Sequence, residues 1–159
     1  MRKILLLLCL ALSLFALQND KDMLSGELKN GLKYYIKENK LPQKTAIFYL
    51  VVNSGSTDER EGEQGLAHFL EHMAFNGSRD FSKNELIKQL ESLGVKFGAD
   101  LNAQTSYDQT SYTLSINVND KNLKDVFKVF SNWIDGVKID AGELDKERGV
   151  IMEEERQRN

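Results

Sequence analysis

Thiols are almost missing from this chain: the only cysteine among its 159 residues is Cys9, inside an apolar stretch that opens the sequence. If that stretch is a removable leader, the mature chain has neither disulfides nor thiolate ligands, and any metal must be held by His, Asp or Glu. Histidine is scarce as well, with only His68 and His72, and Pro42 is the single proline. Charge of one sign is lacking too. The 21 basic and 24 acidic residues give a formal net charge of -3 and form no basic stripe, which excludes a nucleic-acid surface. No apolar run reaches the roughly 20 residues that span a bilayer as a helix, so a permanent membrane anchor is not expected. Repeats and low-complexity segments are absent.

What is present begins with a leader. Basic Arg2 and Lys3 precede an apolar run from Ile4 to Leu17, broken only by Cys9 and Ser13 and followed by polar Gln18, Asn19 and Asp20. This is the pattern of a secretory signal, expected over residues 1–16 with cleavage after Ala16 or a few residues later, because Leu14 is larger than signal peptidases prefer. Cys9 follows Leu8 in mid-run, which excludes lipid attachment. The expected destination is the periplasm, across the inner membrane. Residues 20–159, in a chain with 41% hydrophobic content, are expected to make one domain.

Asn30-Gly31 between 24–29 and 32–37 predicts a tight hairpin, and the apolar run Thr45 to Val52 predicts a buried central strand. Leu66, Phe69, Leu70, Met73 and Ala74 recur at helical spacing until Asn76-Gly77. Ser82 and Glu85 form a capping box for a helix ended by Gly94. Residues 95–107 and 109–118 read as strands, 123–134 as an amphipathic helix, and Asp140 as the N-cap of a last helix. That order without βαβ alternation predicts an α+β fold, a mixed or antiparallel sheet with helices on one face. The last helix shows no stop signal before Asn159, so the domain is expected to be incomplete at its C-terminus.

The chemistry lies in H-F-L-E-H, residues 68–72. Histidines four apart on a helix differ by about 40° of rotation and roughly 6 Å of rise, so His68 and His72 can reach one ion. Glu71 lies about 60° to one side of His68, placed to hold a water as a general base rather than to be a third ligand. The order H-x-x-E-H mirrors H-E-x-x-H and is a zinc-peptidase signature. Two histidines that merely share a face are the bland alternative. On the last helix, with Leu144 as zero and about 100° per residue, Val150, Glu154, Glu147 and Ile151 fall near 240°, 280°, 300° and 340°. Glu147 and Glu154 thus sit in the apolar stripe, where a carboxylate needs a compensating charge such as a metal or a ligating histidine. Glu143 and Glu155 flank the stripe. About 10 Å separates Glu147 from Glu154, so both cannot coordinate one ion, and helical geometry alone leaves the choice open.

The sequence resembles the pitrilysin and insulin-degrading-enzyme family of inverted-motif zinc peptidases, in three blocks: G-L-A-H-F-L-E-H-M-A-F-N-G from Gly65, N-A-Q-T-S-Y-D-Q-T-S-Y from Asn102, and E-R-G-V-I-M-E-E from Glu147. The resemblance implies a Zn2+-dependent endopeptidase with one ion per domain, whose first half carries the metal and closes on peptide substrate with a C-terminal half or homologous subunit. It implies Glu154 as the third ligand, seven residues after the first residue of Glu147-Arg148, with Glu147 supporting. It also implies that the strand carrying Asn102, Ala103, Gln104 and Thr105 is an edge to which substrate adds; a plain hairpin strand is the alternative there. Two other classes compete. A non-catalytic partner half usually lacks the motif, and an S-ribosylhomocysteine-lyase-type enzyme takes a cysteine ligand, which is missing downstream of His72.

Overall fold

The computed structural model describes residues 20–158; the expected leader over residues 1–16 lies outside them. The chain divides after Gln43 into two units. The first contains an antiparallel hairpin, β1 (Met23–Glu27) and β2 (Lys33–Lys37), with Met23 opposite Lys37 and Glu27 opposite Lys33. Its turn differs from the two-residue form expected. Leu28 N donates to Leu32 O and Gly31 N donates to Leu28 O. Of Asn30 and Gly31, only Gly31 takes a positive φ, +87°. One left-handed glycine closing a three-residue loop is the bulged alternative to the tight turn.

The second unit is built on a three-stranded sheet, β3 (Thr45–Val52), β4 (Leu101–Thr105) and β5 (Thr110–Asn117), in the order β3-β5-β4. All pairing is antiparallel, with Thr45 opposite Asn117 and Thr105 opposite Thr110. The central strand is therefore β5, and β3, expected at the centre, is an edge. Its apolar run does not need two covered faces: Phe48 and Leu50 turn to the core, whereas Ile47, Tyr49 and Val51 alternate onto the exposed face. The strand expected over residues 95–107 shortens to β4. Gly94 and Gly98 both take φ near +80°, and Asp100 N donates to Lys96 O, so residues 95–100 form a turn.

The helices pack on one face of the sheet, as the α+β pattern requires. They are α1 (Leu66–Met73), α2 (Lys83–Ser92), α3 (Asp120–Asp135) and α4 (Ala141–Arg158). Ser82 caps α2 reciprocally with Glu85, and Asn119 caps α3 through Asn122 N. Leu86 and Leu90 of α2, and Val126, Val129 and Phe130 of α3, close the core over Leu50, Tyr112, Leu114 and Ile116. Each fully buried leucine there contributes about 1.5–3 kcal/mol. Trp133 stacks on Tyr112 at 5.1 Å, and Phe75 meets both rings. Asp140 Oδ1 accepts from Gly142 N and Glu143 N, so α4 starts at its expected cap. Its half-buried side is Glu143, Leu144, Glu147, Ile151 and Glu154, whereas Val150, expected in the stripe, is 46% exposed. At about 240° Val150 lies at the margin of that side, and α4 turns Glu147 and Glu154 inward instead.

Candidate metal centre

An eight-residue helix is too short to hold itself together in water, so α1 depends on its ends. Gly65 enters it at φ +89°. The two carboxylate oxygens of Glu59 accept from Gly65 N and Ala67 N, each at 2.8 Å, satisfying first-turn amides that have no partner within the helix. At the other end Trp133 Nε1 donates to Ala74 O at 3.0 Å. Glu59→Ala is expected to destabilise the fold by about 0.5–2 kcal/mol, the usual cost of a lost N-cap, and to weaken metal binding, read from thermal unfolding and a zinc titration.

On this clamped helix His68 Nε2 and His72 Nε2 lie 3.1 Å apart, with the rings nearly perpendicular. Glu154, brought in by α4, places Oε2 3.6 Å from His68 Nε2 and 3.7 Å from His72 Nε2. The three form the metal-competent group found among the described residues. A tetrahedral zinc with bonds of about 2.0–2.1 Å holds its ligands about 3.3 Å apart, so the observed triangle fits that ion. Two imidazoles and one carboxylate are also a donor set that leaves zinc an open position.

Glu147 is elsewhere in the same constellation. Its Oε1 accepts from His72 Nδ1 at 2.7 Å, and its Oε2 accepts from Asn76 Nδ2 at 2.8 Å. Burial opposes its ionisation, but these two bonds, together with the charges of His72 and Lys83, hold the carboxyl below its usual range. Donation from Nδ1 leaves the Nε2 lone pair of His72 aimed at the ligand triangle, the arrangement that orients a metal-binding histidine.

Glu71 is buried, 7% exposed, and Thr105 Oγ1 donates to its Oε2 at 2.6 Å. The neighbouring phenol of Tyr112 is pushed well above its usual range by burial and by the charge of Glu71. A cavity of about 230 Å3 joins His68, His72, Glu154 and Glu71 to Ala103, Gln104 and Thr105 of β4. A larger one, about 360 Å3, continues past Phe75, Phe97 and Leu101 to Asn102, whose Nδ2 donates to Gly98 O. All the expected site residues thus lie around two adjoining cavities. Sequence reasoning overlooked Asn76, Glu59 and Thr110. Asn76 follows His72 at the spacing that shares a helix face and was legible in principle. Glu59 acts from a loop, and no local pattern marks it.

The sequence profile of the family described as Insulinase (Peptidase family M16) matches residues 34–159. The "Probable zinc protease PqqL" of Escherichia coli is 42% identical over 140 residues, covering 87% of this chain and 15% of that protein. Mitochondrial-processing peptidase subunit beta of Bos taurus is 35% identical over 127 residues, covering 80% of this chain and 24% of that one. The crystal structure of the periplasmic protease PqqL from Escherichia coli superposes with a TM-score of 0.84 at 41% identity, over 88% of this chain and 16% of that one. The chain therefore spans about 15% of the length of PqqL. By sequence and by fold, it belongs to the insulinase family, peptidase family M16.

Proposed function

We propose that residues 20–159 form the zinc-binding domain of an exported endopeptidase that hydrolyses peptides or unfolded polypeptide segments. The observation that carries this reading is the convergence of His68, His72 and Glu154 beside buried Glu71. The three would hold one Zn2+, which when bound polarises a scissile carbonyl and makes a water acidic enough to attack near neutral pH. Glu71 accepts that water's proton and returns it to the leaving amine. Glu147 keeps His72 in its ligating tautomer.

The strand β4 supplies the substrate edge. Ser106 N donates to Gln109 O, and Ser115 N donates to Asp100 O, so even-numbered residues from 100 to 106 bond to β5 and odd-numbered ones turn their N–H and C=O outward. Leu101 O already accepts from Gly98 N. The main-chain groups of Ala103 and Thr105 have no backbone partner among the described residues and border the cavity that holds the metal donors. An extended peptide can bond to these two residues whatever its side chains, while Asn102 and Gln104 flank them. The large share of PqqL outside the matched region is where a closing half or a homologous partner subunit would come from. Export to the periplasm accords with the leader and with the periplasmic location of the Escherichia coli relative. Among the described residues no helix is long and apolar enough to cross a membrane.

The protein expressed from its complete gene is expected to hold one zinc per site and to cleave an unfolded peptide. Chelation should abolish cleavage, and added zinc should restore it. Bound metal without any proteolysis would overturn the reading in favour of another inverted-motif metalloenzyme, and absence of both would favour a non-catalytic partner half.

A further inference from the structure

Building on that function, we propose that Thr105 is a positioning residue for Glu71, acting through its hydroxyl and not only through its main chain in the substrate edge. Side chains at odd positions of β4 point to the core face, where Leu101 is buried, and Thr105 is the one whose hydroxyl reaches Glu71, at 2.6 Å. A hydroxyl donating to an ionised carboxylate at that distance is among the stronger hydrogen bonds in proteins. It matters for Glu71 because a glutamate has three rotatable bonds, and a base must be held within a fraction of an ångström of its proton.

The support behind Thr105 is built. Thr110 lies opposite it in the register, with the two hydroxyl oxygens 3.3 Å apart. Thr110 is buried, and its own hydroxyl donates to Ser54 O at 3.0 Å. The loop holding Ser54 is fixed in turn to the β4–β5 connection. Ser56 N donates to Ser106 O, and both Thr57 N and Thr57 Oγ1 donate to Tyr107 O. The contact is so close that a Cβ on Gly55 would stand 2.4 Å from Ser106 O. A β-branched residue in a strand also has few χ1 choices. Thr105 is therefore backed by an anchored, buried neighbour and restricted in χ1, while its one hydroxyl proton goes to Glu71. It occupies Oε2 and leaves Oε1, which has no hydrogen-bond partner among the described residues, to take the proton. Because Thr105 also offers main-chain groups to a docking peptide, one residue fixes the distance between the substrate edge and the base.

The test compares Thr105→Val, which keeps the shape and removes the hydroxyl, with Thr105→Ser, which keeps the hydroxyl, in the complete protein. Thr105→Val is expected to lower kcat by about 10–100-fold with KM within about twofold and zinc content unchanged. Thr105→Ser should recover most of the lost rate. With Co2+ loaded in place of zinc, the visible spectrum should change in Thr105→Val and return towards the wild type in Thr105→Ser. Wild-type kcat and an unaltered cobalt spectrum in Thr105→Val would overturn the proposal. So would equal impairment in both variants accompanied by a large rise in KM. If Thr105→Val does not fold, Thr105→Ala removes the same hydroxyl without the added methyl. If the wild-type protein binds Co2+ and cleaves nothing, the peptidase reading fails, while the cobalt spectra still decide the role of Thr105.

Discussion

Replacing Glu71 by Gln in the complete protein is expected to lower the rate of peptide hydrolysis by about 10²–10⁴-fold, the usual contribution of a general base, while zinc stays bound. The side chain is buried, and its one hydrogen bond among the described residues is the one from Thr105 Oγ1. A glutamine amide oxygen can accept that bond, so the variant keeps its packing and its orientation. What it cannot do is accept a proton from an attacking water. The separation of effects is the point of the experiment: turnover falls while metal analysis returns the wild-type zinc content. Loss of zinc along with activity would make Glu71 a ligand and leave the base unassigned.

Glu154→Gln is expected to remove zinc and activity together. Its carboxylate closes the triangle with the two Nε2 atoms at 3.6 and 3.7 Å, and it is the only anion in the donor group. A neutral amide in its place leaves two imidazoles, too few for a stable site of this kind. The comparison that gives the test its force is Glu147→Gln. Glu147 touches His72 Nδ1 rather than the ligand triangle, so its loss should weaken metal affinity by about 10–100-fold without abolishing it. Direct metal titration of both variants distinguishes the two roles. An unchanged zinc content in Glu154→Gln would move the third ligand to another acid of α4.

Much of this organisation follows from local pattern. The spacing of His68 and His72 places both on one side of a helix whatever surrounds them, because 3.6 residues per turn is a property of the backbone. The caps at Ser82 and Asp140 were legible for the same reason: a short oxygen-bearing side chain next to unpaired amides acts within a few residues of itself. The existence of the three strands and the α+β class also followed from apolar runs and turn residues, whereas the choice between a mixed and an antiparallel sheet came from the pairing itself. Strand order did not. The run Thr45 to Val52 reads as central on hydrophobicity alone, yet the place of a strand in a sheet depends on which partners find it, and here β5 takes the middle.

The choice between Glu147 and Glu154 marks the boundary most clearly. Both fall on the inward side of α4, and rotation about a helix axis assigns them nearly the same direction. Only the way α4 packs on α1 sets Glu147 against Nδ1 of His72 and Glu154 against the Nε2 atoms, because that depends on axial offset between two helices distant in sequence. The bonds from Glu59 to the start of α1, and from Thr105 to Glu71, are of the same kind. The sequence by itself determined the motif, its helix and the chemistry those residues can perform. Tertiary structure decided which acid meets which nitrogen and what holds Glu71, since these are distances between elements that no local rule of helix or strand specifies.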